Sequence, residues 1–155
     1  MTDFYEECEV GLKSLILAQL PDYFPHAHNV SNDDAVIAKG GDHFLIPRPG
    51  KFPYTKGSEM EEGTYHWEIQ GDLYVRYKNY KTSWDAFKAV RSALINLVHQ
   101  YPNLDDTPGV LDVTLASSER PGYMKFNPNS TKINFIIQTL AFTVVQWVTF
   151  GGGEI

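Results

Sequence analysis

The chain has one cysteine, Cys8, in 155 residues, which excludes an internal disulfide framework and suits a reducing compartment. Matches to the N-glycosylation pattern at Asn29 and Asn129 are accordingly read as chance. Several chemical signatures are also missing. No GxSxG elbow occurs, Gly40-Gly41 lacks a GKS/T continuation, and neither GxGxxG nor HExxH is present. Cations are in deficit, 13 Lys and Arg against 19 Asp and Glu, and a net charge of −6 does not suit a coat for nucleic acid. Long apolar runs are absent. Leu15–Leu20 sits behind an acidic start and is too short for a secretion signal. Phe135–Phe150 is broken by Gln138, Thr139, Thr143 and Gln146, so it reads as a strand and no membrane partner is expected.

What is present is enough apolar material, 43% of residues, for one proper core. The expected organisation is a single domain over 1–150 with a flexible tail over 151–155. Thr64–Tyr101 organises it. Tyr65, Trp67 and Ile69 alternate with His66, Glu68 and Gln70, and Leu73, Val75 and Tyr77 resume the period beyond Gly71-Asp72. The glycine predicts a bulge. Thr82 and Asp85 suggest a capping box, followed by a stripe of Trp84, Phe87, Val90, Leu94, Leu97, Val98 and Tyr101 up to Pro102.

Before this stretch, Phe4, Cys8, Leu12 and Leu15 predict a first helix over 3–20, stopped by Pro21. A hairpin is expected from 35–38 and 43–47 around Lys39-Gly40-Gly41-Asp42. Pro47–Gly63, rich in proline and glycine, reads as an extended flap. After the second helix come a turn over 103–108, a strand over 110–116, a loop over 117–130, and a closing strand over 132–150. Straight, that last strand would reach about 60 Å, so it is expected to bend or to project and pair with a neighbour. The fold class is α+β: a largely antiparallel sheet with two helices on one face, a long flap and an extended C-terminal strand.

Chemistry is sparse. His26 and His28 form an HxH pair near Asp33, Asp34, Asp42 and His43, a donor set of the kind zinc takes. The pair has no fixed third ligand, and solvated loop histidines are the preferred reading. Cys8 belongs to an apolar stripe as a small hydrophobe, and Asp105-Asp106 to a turn. Tyr74, Arg76, Lys78 and Tyr80 face outward from their strand, a mix that suits protein contact better than nucleic acid.

The order of elements resembles the tail terminator (tail completion) proteins of long-tailed bacteriophages. The likeness rests on an N-terminal helix, the strand Trp67-Glu68-Ile69-Gln70-Gly71-Asp72-Leu73-Tyr74-Val75 and the Trp84–Val98 helix. It continues with Tyr101-Pro102-Asn103-Leu104, Gly109-Val110, and a last strand bearing Gln138 and Val144-Val145-Gln146. The resemblance implies a non-enzymatic ring, usually hexameric, without cofactor or metal. It would bind copies of itself, the tail tube protein and the head–tail connector protein. It would reside in the virion neck after assembly in the host cytoplasm, with genome DNA passing its lumen without sequence-specific binding. Acidic charge suits such a channel. Expected contact residues are Arg48, Phe52, Tyr54 and Lys56 of the flap, Arg76 and Lys78, and Trp147 and Phe150. The rival readings are another head–tail joining protein, a stopper or adaptor, and a small metal-dependent hydrolase using His26, His28 and Asp33.

Overall fold

A computed structural model describes residues 4–33, 36–37, 39, 41–47, 54–56 and 62–149. The elements are α1 (Phe4–Gln19), β1 (Val30–Ser31), β2 (His43–Leu45), β3 (Tyr54–Lys56), β4 (Glu62–Arg76), α2 (Tyr80–Gln100), β5 (Val110–Ser118), β6 (Gly122–Met124) and β7 (Phe135–Thr149). The fold is α+β, with seven strands in one mixed, mostly antiparallel sheet ordered β1-β2-β4-β7-β5. β3 adds to the β4 edge and β6 to the β7 edge. The pairing of β1 with β2 is the parallel one.

β4 and β7 are the axis. Their register runs without a break from Glu62↔Thr149 to Arg76↔Phe135, a ribbon about 50 Å long at about 3.3 Å per residue. One face of it carries Trp67, Ile69, Leu73 and Val75 from β4 with Ile136, Leu140, Phe142 and Val144 from β7, all buried. Both helices cover that face. Tyr5 of α1 meets Trp67 edge-on at 6.0 Å, and Arg91 of α2 donates to Gln138 Oε1 at 3.0 Å. Cys8, Leu12 and Ile16 of α1 and Phe87, Val90 and Leu94 of α2 close the core.

Four local expectations are corrected. Gly71 makes no bulge, since β4 stays in register on both sides of it. A Cβ there would lie 2.0 Å from Phe44 Cζ, so the glycine makes room for a buried aromatic ring. The cap of α2 is Asn79, whose Oδ1 accepts from the Thr82 amide at 3.0 Å. Ser83 Oγ in turn accepts from the amides of Lys78 and Asn79, so helical geometry begins earlier than Thr82. The 35–38 hairpin arm does not form over its described residues. Val36 and Ile37 sit in a helical turn, and β2 pairs instead with β1 and β4. Finally, the closing strand does not project alone. β7 is interior, flanked by β4 along its whole length and by β6 and β5 on the other side.

Candidate assembly interface

Short segments flank the ribbon on both sides, so the open backbone lies on them. On one side β3 meets β4 at Tyr65–Trp67 and β2 meets it at Asp72–Tyr74. On the other, β5 pairs with β7 through Val110–Ser118, and its far edge pairs with no strand among the described residues. Two register shifts, at Val110/Asp112 and Leu115/Ser117, kink that edge, which is how sheets blunt an exposed margin. Beyond the Val110↔Gln146 and Lys56↔Tyr65 pairs, the rungs at 62–64 and 147–149 continue as a two-stranded extension.

The expected contact residues fall in different places. Arg48, Phe52, Phe150 and the 151–155 tail lie outside the described residues, as does most of the flap. Tyr54 and Lys56 belong to β3, so this part of the flap is an edge strand paired to Trp67 and Tyr65. Arg76 is half-buried and engaged by its own chain. Its amide donates to Asp42 Oδ1 at 3.0 Å, its guanidinium donates to the Lys39 carbonyl at 2.9 Å, and it lies 5.2 Å from the Phe135 ring centre. Tyr74 is half-buried edge-on against Phe135. Lys78 and Trp147 are exposed, Trp147 at 46%.

The histidine pair does come together. His26 and His28 stack at 5.3 Å, and His43, distant in sequence, stands 6.1 Å from His28. Partial burial, then Lys39, His26 and His43, hold the His28 imidazole below its usual value. His43 is fully buried; its Nε2 lies 3.2 Å from the Lys39 carbonyl, and its Nδ1 has no hydrogen-bond partner. Among the described residues, no three His, Cys, Asp or Glu are grouped to hold a metal ion. Burial lifts the half-buried Asp42 carboxyl above its ordinary range, against the pull of the Arg76 amide, His43 and nearby cations. Cys8 is sealed in the core, and burial, with Glu7 adding, pushes its thiol up to about 12.

Two surface features escaped sequence reasoning. The first is a groove of about 670 Å³ between α1 and the loop after α2, lined by Glu7, Val10, Gly11 and Ser14 on one wall and Leu104–Pro108 on the other. Leu104, Asp105 and Asp106 are consecutively left-handed, with φ of 52°, 54° and 65°. Such residues cost about 1–3 kcal/mol each and persist only where the surroundings impose them. Gly11 lets this loop approach, because a Cβ there would meet Thr107 Oγ1 at 2.3 Å. Only Asp105-Asp106 and Pro108-Gly109 flagged the turn; its handedness is imposed by packing. The second is the company that Tyr80, outward by sequence and 70% exposed, keeps at the opposite end of the ribbon: Phe126 at 50% and Tyr123 at 46%. Compared with known proteins, the chain matches no family model and no curated protein.

Proposed function

We propose that this chain is a structural virion protein: a ring, hexameric on the resemblance, that terminates a phage tail tube and joins it to the head connector. The observation that carries the reading is the β4–β7 ribbon with its end rungs beyond the flanking strands and Trp147 exposed there. A two-stranded extension with open margins is a natural element to be completed by an adjoining subunit. The sheet face turned away from the helices supports a channel wall. Its central residues include His66, Glu68, Gln70, Asp72, Asp112, Thr139 and Thr143, with no Lys or Arg in that central stretch among the described residues; Arg76 stands on the same face only at the close of β4, where its own chain holds it. Fixed negative charge without cations lets phosphate slide past rather than bind. No helix among the described residues is long and apolar enough to cross a membrane.

Mass photometry and negative-stain imaging of the purified protein, alone and with a tail tube protein, test the proposal. The expected result is a closed ring at the end of the tube. A strict monomer under both conditions overturns it. A ring seated on the head side of the neck, away from the tube end, assigns the chain to the stopper or adaptor class.

A further inference from the structure

Charge is unevenly divided along the ribbon. At the end formed by the start of β4, the end of β7 and the loop after α2 stand Glu6, Glu7, Asp105 and Asp106. Lys56 of β3 is the one lysine or arginine there among the described residues. At the other end, around the close of β4, the start of α2 and the turn between β6 and β7, stand Arg76, Lys78, Lys81, Lys125 and Lys132, with Asp42 and Asp85 as the nearby acids. The two ends are about 50 Å apart, several screening lengths, so each acts on a partner independently.

Shape follows charge. The acidic end holds the groove beside α1, with an apolar stretch of wall at Val10 (47% exposed) and Leu15, rimmed by Glu7, Asp105 and Asp106. The basic end presents Tyr80, the most exposed large hydrophobic among the described residues, between Lys78 and Lys81; Tyr123 of β6 stands against Trp84 of α2, and Phe126, in the turn after β6, against Phe135 of β7. An aromatic knob with a cationic rim and an apolar slot with an anionic rim are complementary in both respects. The two patches differ from each other, so a contact between them is heterologous and propagates head to tail until it closes.

We infer that the occupant of the α1 groove is a second copy of this chain, which inserts its Tyr80-centred basic end. The inference rests on the ring reading above and names the contact that would build the ring. It also explains how chains carrying a net charge of −6 each overcome mutual repulsion: the opposed charges are gathered where the copies meet.

The test uses the full chain and two variants. Glu7→Lys/Asp106→Asn alters the groove, with asparagine chosen because it tolerates the left-handed backbone at that position. Lys81→Glu/Lys125→Glu alters the knob, and a glutamate in the first turn of α2 agrees with the helix dipole. Urea melts establish that both variants fold. The expected result is that each variant alone needs about tenfold or more protein to assemble. A one-to-one mixture should recover assembly, because each variant contributes the intact end the other lacks and the reversed charges face one another. Tyr80→Ala should weaken assembly while leaving its sensitivity to salt in place. Raising salt from about 0.1 M to about 1 M, which shortens screening from about 10 Å to about 3 Å, should weaken the unaltered protein as well. Unaltered protein that assembles while both variants assemble equally well overturns this contact and leaves the ring reading standing. Self-assembly unchanged but binding of tail tube protein lost in the groove variant assigns the groove to that partner and overturns the inference. If the unaltered protein never self-associates, the ring reading itself fails and takes this contact with it.

Discussion

At the scale of single residues, the molecule depends on a few side chains whose neighbours leave no slack. Gly71 is required by the Phe44 ring, which is fully buried and edge-on to Phe142 at 6.2 Å. Gly71→Ala should therefore destabilise the fold by about 1–3 kcal/mol, read as a lowered urea midpoint. Adding Phe44→Leu should recover part of the loss, and additive effects in that double-mutant cycle would refute the steric account. Cys8 carries a second prediction. With its thiol raised from 9.0 to about 12, the folded state holds the proton that the unfolded state releases. Stability is thus whole below about pH 9 and falls as pH rises toward 12. Native protein should react with a thiol reagent only as fast as it opens globally, and Cys8→Ala should remove this part of the alkaline loss.

At the scale of elements, β7 is tied to its surroundings by two buried glutamines. Gln146 accepts from the Trp67 indole at 2.9 Å and donates to the Pro108 carbonyl at 2.8 Å. Gln138 accepts from Arg91 and donates to the Glu119 carbonyl at 2.6 Å. In the sequence these amides argued against a membrane helix and entered the family resemblance; in the fold they couple the sheet to both adjoining loops and to α2. The 3-10 turn at Ala27–Asn29 is joined to the β2 end through the imidazoles of His26, His28 and His43. Because His28 resists protonation in the fold, the unfolded chain takes up the proton first as pH drops below about 6.5. Acidification from pH 7 to 5 should lower stability, with Lys39 adding to the repulsion. Asp42 has the opposite sign, since its raised carboxyl favours the folded state as pH falls, but only in the lower range just above 3.8. His28→Asn should flatten the slope between pH 7 and 5; an unchanged slope would show that the imidazole cluster does not govern it.

At the scale of the whole molecule, the division of charge and of faces matters more than net charge. A value of −6 does not suit a coat for nucleic acid, yet Arg76, Lys78, Lys81, Lys125 and Lys132 gather at one end, while the open sheet face carries no lysine among the described residues. Lysines placed on that face by Gln70→Lys/Thr143→Lys should leave ring assembly intact and create salt-sensitive retention of duplex DNA, measurable by a gel shift. Equal DNA retention by unaltered and altered rings would remove the face from the channel wall.

The sequence by itself determined the α+β class, the two amphipathic helices, the alternation of β4 and the strand character of Phe135–Thr149. These follow from period and punctuation: Pro21 and Pro102 end helices, and a residue's face in a strand is set by its parity. Local pattern could not say which strands would be neighbours, because pairing is settled by long-range burial. That is why β2 found β1 and β4 rather than the segment before it, and why β7 became an interior strand instead of a free edge. The Gly71 reading failed for the same reason: a missing side chain is silent in the sequence, and only the ring packed over it gives it meaning. The groove beside α1, the left-handed run at Leu104–Asp106 and the meeting of three distant imidazoles were likewise decided in three dimensions, where residues far apart in the chain exclude or attract one another.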